Sequence, residues 1–180
     1  MRITNDYVFF YKDWLSNYQH TYFEYKDHDF TSTEQAFMYM KAIFFQDYES
    51  AINILDSKTP NEARLLGRKV KGYDDKKWSE VRYQIFYELN LIKYTTDKKL
   101  QRMLLDHKFD GKVFVEASPI DKIWGVGYDE YNAEYNEFQW GRNYLGKIIT
   151  NIRNRIKQDK LNDPNWNIYD YWGKNDETDE

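Results

Sequence analysis

The apolar stripe near the end of the chain constrains its fold more than any other feature. Leu145, Ile148, Ile149, Ile152 and Ile156 recur at the spacing of a single helix face, which predicts a buried-face helix over about 141–158. Helix-start signals place further helices upstream. Thr59-Pro60-Asn61-Glu62 supplies an N-cap, a proline at the first helical position and a capping-box glutamate, so a helix carrying Ala63, Leu66 and Val70 begins there and stops near Gly72. A longer helix follows over about 75–94, with Trp78, Val81, Ile85, Leu89 and Ile92 on one face, and Asp97 caps a short helix holding Leu100, Met103 and Leu104. Thr31-Ser32-Thr33-Glu34-Gln35 holds two overlapping capping boxes, Thr31 with Glu34 and Ser32 with Gln35. They predict a helix to about Tyr48, with Phe37, Met40 and Phe44 facing inward.

The remaining segments read as strand or loop. Residues 7–30 are rich in Tyr and Phe, broken by Ser16-Asn17 and by the polar run 26–29, a pattern of short strands and a turn. Lys112 to Glu116 reads as a brief strand that leaves into a loop, Ala117 to about Asn136, holding Pro119, Gly125 and Gly127. The expected class is therefore α+β, a predominantly helical single domain with a small β element. That domain is expected over 1–160, followed by an acidic, aromatic extension over 161–180 that Trp166, Tyr169, Tyr171 and Trp172 are available to pin down.

Composition removes whole classes of function. Without cysteine there is no disulfide, thiol nucleophile or thiolate metal site. No stretch approaches the roughly 18–20 apolar residues of a spanning helix, and Met1-Arg2-Ile3-Thr4-Asn5-Asp6 lacks the apolar run of a signal peptide. A cytoplasmic protein with no membrane partner is expected. The net charge of −4 is mostly that of the last seven residues, leaving the body nearly neutral and unlike a general nucleic-acid binder. The basic run Lys147, Arg153, Arg155, Lys157 and Lys160 reads first as a solvated helix face, with nucleic-acid contact as the alternative. His20, His28 and His107 share no ligand spacing, so no metal is expected. Gly125-Val126-Gly127 lacks the rest of a dinucleotide fingerprint, and no cofactor is expected.

Four groups of residues remain that can carry chemistry. Glu34 and Lys41 lie close to two helical turns apart, which sets a carboxylate and an amine along one side of a helix. A capping glutamate and a solvated lysine are the plain readings of the same pair. Glu116 to Gly125 exposes two carboxylates and Trp124 in a Pro/Gly loop after a strand, where functional groups concentrate; a tryptophan lid over the core is the alternative. Asn143-Tyr144-Leu145-Gly146 opens the last helix, where unpaired N–H groups favour an anion and Arg142 adds charge. Trp78 and Arg82, at i and i+4, share a face able to clamp a planar anionic ligand or simply to pack.

In order along the chain, Leu15-Ser16-Asn17-Tyr18, Thr33-Glu34 with Phe37 and Lys41, Ala63 to Arg68, Trp78 with Val81-Arg82, Val115-Glu116-Ala117-Ser118-Pro119 with Asp121 and Trp124-Gly125, and Asn143 to Gly146 together resemble the NADAR or YbiA-like family. The resemblance spans about Leu15 to Ile156. It implies a compact, mostly helical α+β fold and cleavage of N-glycosidic bonds in phosphorylated ribose compounds. The implied substrates are ADP-ribose on a guanine base, extending to ADP-ribosylated nucleic acid as a partner, or a phosphoribosyl-aminopyrimidine riboflavin intermediate. It implies Glu34, Asp121 and Lys41 as catalytic residues. Asn17, Trp78, Arg82, Trp124, Gly125, Asn143 and Gly146 are implied for substrate binding. The sequence departs from the family where Gln35 replaces a common histidine and Met38 a usual glutamine, and Gln35 cannot shuttle a proton near neutral pH. The rival classes are a module that binds ADP-ribose or a related nucleotide without cleaving it, and an interaction protein that docks through its aromatic surface.

Overall fold

The computed structural model describes residues 1–163, so the aromatic residues of the expected extension lie outside the described residues. Strands β1 (Arg2–Ile3), β2 (Tyr7–Phe10), β3 (His20–Tyr25) and β4 (His28–Ser32) lead into helices α1 (Thr33–Phe44), α2 (Tyr48–Leu55), α3 (Pro60–Gly67), α4 (Asp75–Thr96) and α5 (Lys98–Leu104). Strand β5 (Val113–Glu116) and helix α6 (Tyr144–Asn162) complete the chain, with short 3₁₀ turns at His107–Phe109 and Glu134–Gln139. Helices outweigh strands, as the sequence pattern requires.

β2 is the hinge between layers. It pairs antiparallel with β1 and parallel with β5, in the register Phe9 with Val115 and Phe10 with Glu116. Val8, Phe9 and Phe10 are all buried, because alternate side chains serve different cores. Val8 and Phe10 join the main core with Phe114 and the stripe of α6. Phe9 joins a smaller one with Val115, Ala117, Val126 and Ala133. β3 and β4 form a separate hairpin, and the strand β4 runs directly into α1, which packs on α2, α3 and α4.

Several expected boundaries move, each for a local reason. Ser32 is the N-cap of α1, accepting from Gln35 N at 3.1 Å. Thr31 instead meets the Gln35 side chain, its N–H donating to Oε1 at 2.9 Å, so Glu34 is not a capping partner of Thr31. The helix expected to run to Tyr48 stops at Phe44, and α2, which the sequence pattern does not predict, begins at Tyr48. Gln46 turns left-handed, φ 59°, and Asp47 restarts the chain as the N-cap of α2, accepting from Ser50 N at 3.2 Å. Phe44 is accordingly not a core residue; it is 38% exposed at the end of α1. α3 ends at Gly67 rather than near Gly72, and α6 is shifted to Tyr144–Asn162.

In α4 the buried line is Trp78, Arg82, Phe86, Leu89 and Lys93, whereas Val81 and Ile85 are only half-buried. Periodicity of apolar residues alone misses a face that includes two cations. The basic run of α6 is likewise not one solvated face: Arg153 is buried with Nη1 donating to the Phe109 carbonyl at 2.5 Å, and Lys157 pairs with Asp110. Among the described residues, no helix is long and apolar enough to cross a membrane.

Candidate active site

A cleft of about 1050 Å³ opens between the loop before β3, helices α1, α3 and α4, and the loop after β5. Glu34, in the first turn of α1, faces it. Its own N–H donates to the Asn17 carbonyl at 3.0 Å, and the Asn17 side-chain amide donates back to Glu34 Oε2. The side chain is only 5% exposed. Burial pushes its carboxyl up to about 7, with Asp121 adding to the rise, while the Asn17 amide, Arg64 and Arg68 oppose it.

The loop that presents Asn17 is anchored from below. Lys93 is completely buried in α4, and its Nζ donates to the Ser16 carbonyl at 2.9 Å and to those of Trp14 and Leu15 at 3.4 Å. Burial lowers its amine to about 7 against the opposing pull of Asp13 and Asp97.

The opposite wall follows β5. Glu116 has its backbone clamped on both sides: its N–H donates to Asn143 Oδ1 at 3.0 Å, and its carbonyl accepts from Val126 N at 3.0 Å. Its side chain lines the cleft, and Oε2 is buried without a hydrogen-bond partner in the protein. Burial, Asp121 and Glu34, in that order, push this carboxyl up to about 8. Asp121 lines the same cleft, with Oδ1 accepting from Ile123 N at 2.7 Å and Trp124 N at 2.8 Å. That turn orients both the carboxylate and Trp124. Among the described residues, no three acidic or histidine side chains are grouped to hold a metal ion.

Trp78 and Trp124 both contact Phe37, each with its ring centroid 5.2 Å from that ring. All three line the cleft. Trp78 is thus both packed, at 4% exposed, and part of the wall. The lining is also cationic, with Lys41, Arg64, Arg68 and Arg82 among its residues. Arg82 donates to Asp75 at 3.3 Å, yet its Nε and that of Arg64 are buried without a partner. Lys41 Nζ donates to the Gly67 carbonyl at 2.9 Å and sits 4.1 Å from the Tyr73 ring centre. Burial, then Arg68, hold its amine below the usual lysine range.

Seven of the residues singled out in the sequence therefore meet at one cleft: Asn17, Glu34, Lys41, Trp78, Arg82, Asp121 and Trp124. Gly125, Asn143 and Gly146 do not line it. The first N–H groups of α6 are already spent on the loop before it, Asn143 N on Gly125 O at 3.2 Å, Tyr144 N on Ile123 O at 3.1 Å and Leu145 N on Trp124 O at 3.0 Å. These three N–H groups are therefore turned to the loop and not to the cleft. Asn143 instead bridges β5, its Nδ2 donating to the Phe114 carbonyl at 3.0 Å. Gly125 is required because a Cβ would lie 2.7 Å from the Glu116 carbonyl oxygen. Arg142 bonds Tyr144 at 2.9 Å in an exposed position.

The buried carboxyl of Glu116 and the arginines of α3 were not assigned roles from the sequence. Arg64 and Arg68 at i and i+4 were a usable signal; Glu116 at the end of a strand carried none for its burial. Gln35 faces away from the cleft, with Nε2 donating to the carbonyls of Ile54 at 3.1 Å and Leu55 at 3.0 Å. Its replacement of histidine therefore bears on the α1–α2 junction. Met38, the other departure, lines the cleft.

The sequence model of the NADAR domain matches residues 5–157, and the chain belongs to the NADAR family. It is similar to protein irg-1 of Caenorhabditis elegans, 35% identical over 71% of this chain and 61% of that one, so it spans less than two thirds of that relative's length. An N-glycosidase of Acanthamoeba polyphaga mimivirus is 33% identical over 72% of this chain and 76% of its own. The NMR structure of the Escherichia coli protein YbiA superposes with a TM-score of 0.71, covering 89% of this chain and 90% of that one at 22% identity. That likeness is one of fold.

Proposed function

We propose, from membership of the NADAR family, that this chain is an N-glycosidase hydrolysing the C1′–N bond of a phosphorylated ribosyl compound. The substrate is ADP-ribose carried on a guanine base or a phosphoribosyl-aminopyrimidine. The observation that carries this reading is the meeting of Glu34 and Asp121, from distant stretches of chain, in a cleft lined by two indoles and three arginines.

Breaking the C1′–N bond builds positive charge on the sugar. A carboxylate beside C1′ favours that transition state over the ground state. Glu34 or Asp121 takes this role and the other orients or activates water. Trp78 and Trp124 hold the planar leaving group. Arg64, Arg68 and Arg82 grip phosphate, in place of the α6 start, because two of them keep an unpartnered buried Nε at the cleft.

A second route is favoured by the lowered amine of Lys41. Where the sugar is joined through an exocyclic amine, its ring opens to an imine. Lys41 adds to C1′, and the original C1′–N bond breaks as the amine leaves with the proton lost by lysine. Water then hydrolyses the Schiff base to free the sugar and Lys41. Borohydride trapping separates the routes: an adduct at Lys41 supports the second, and its repeated absence with active enzyme removes it.

The test of the function is release of base from ADP-ribosylated guanosine or from the phosphoribosyl-aminopyrimidine. Turnover of neither, together with micromolar binding of ADP-ribose, points to a binding module instead.

A further inference from the structure

Two of the carboxyls at the cleft have companions that suit a charged oxygen. Glu34 has the Asn17 amide and the field of two arginines; Asp121 has two backbone N–H groups. Glu116 has neither. Its Oε2 is buried with no partner, and the charges acting on it are those of Asp121 and Glu34. Its backbone is fixed by bonds to Asn143 on one side and Val126 on the other, which sets the point from which the side chain enters the cleft. An unpaired carboxylate in such a place is costly, whereas the neutral acid has a proton to donate and lacks only an acceptor.

We propose that Glu116 is held as the neutral acid and delivers its proton to the leaving nitrogen of the substrate. This rests on the N-glycosidase reading above and adds to it the acid that the reading lacks. As the C1′–N bond breaks, its electron pair goes to nitrogen, and the proton on Glu116 goes to that nitrogen. Water adds its oxygen to C1′ and gives a proton to the carboxylate of Glu34 or Asp121. Transfer of that proton through solvent restores the acid at Glu116, so the balance is one water consumed per bond cleaved. The division of labour follows from surroundings: Glu34 and Asp121 each have N–H donors to stabilise a carboxylate oxygen, whereas Glu116 Oε2 has none and suits the protonated form.

The test compares two leaving groups in wild type and Glu116→Gln, which keeps the shape but has no acidic proton. With a guanine or aminopyrimidine leaving group, the variant is expected to lose roughly 10²–10⁴-fold in kcat with KM little changed. With a nitrophenyl ribosyl phosphate, whose leaving group departs without a proton, the loss is expected to shrink to a few-fold. Equal losses on both substrates, or no loss on either, overturn the proposal, and this ratio within one variant does not depend on how much of it folds. Carbon-13 NMR titration of the carboxyls, with Glu116→Gln assigning the resonance, supplies a readout independent of turnover. A Glu116 that ionises in the ordinary carboxylate range overturns the proposal alone. A wild-type protein inactive on every ribosyl substrate overturns the N-glycosidase reading and this proton transfer with it.

Discussion

Asn17 and Glu34 hold each other twice, by the Glu34 N–H to the Asn17 carbonyl at 3.0 Å and by the Asn17 amide to Glu34 Oε2. The backbone contact places the loop against the first turn of α1. The side-chain contact then fixes the carboxyl and favours its charged form.

Asn17→Ala removes that favour, so the Glu34 carboxyl titrates higher still than about 7. If Glu34 acts as a carboxylate, the acid limb of kcat/KM moves to higher pH in the variant. The rate at its optimum falls by about tenfold to a hundredfold, the range of a hydrogen bond to a charged group. A pH–rate profile of both proteins checks this, and an unmoved limb removes Asn17 from the role.

Glu34→Gln is expected to abolish turnover while stabilising the fold. The native carboxyl ionises near 7 and the unfolded one near 4.5. Between these values the unfolded chain has released a proton that the native state keeps, so wild type loses stability as pH rises through this window. The full penalty, on the order of 3 kcal/mol, is present above it. Thermal melts of wild type and variant should coincide near pH 4 and separate by several degrees at pH 8, with the variant higher.

The sign is opposite for Lys93. Its native amine titrates near 7 against 10.5 unfolded, so the unfolded chain binds the extra proton between those values and stability rises with pH across them. Lys93→Met loses this rise and frees the carbonyls of residues 14–16. Relative to the variant, wild type should gain melting temperature from pH 7 to 10 and show no further change below 7. Turnover of the variant should fall as well, because Asn17 follows the loop that Lys93 anchors.

Gly146→Ala tests a packing role in place of a ligand role. A Cβ there would overlap the carbonyl oxygen of Phe114 and the amide of Asn143, displacing α6 from β5. The expected cost is about 1–3 kcal/mol, read as a lowered denaturant midpoint. Purified folded protein should bind ADP-ribose with near-normal affinity; a selective loss of binding at unchanged stability would restore Gly146 to the site.

Much of the helical framework was legible because its signals are local. A cap such as Thr59 or Asp97, and a stripe such as that of α6, act within a turn or two of chain. Where a local signal competed with a tertiary one, the reading failed. Gln46 adopts a left-handed turn that no glycine announced, and Arg82 and Lys93 lie on the buried line of α4 despite their charge. The chemical inventory was also legible: the ordered set of residues from Leu15 to Gly146 pointed to the family and to Glu34, Asp121 and the two indoles. Their protonation and their partners were decided only in three dimensions. Whether a carboxyl is a helix cap, a charged base or a neutral acid depends on the groups within a few ångströms of it. Glu34 meets Asn17, 17 residues back, and Asp121, far along the chain, while Glu116 meets Asp121 in its own loop and the distant Glu34. The same holds for the start of α6, where the N–H groups of Asn143, Tyr144 and Leu145 look free in one dimension and are taken by the loop folded against them.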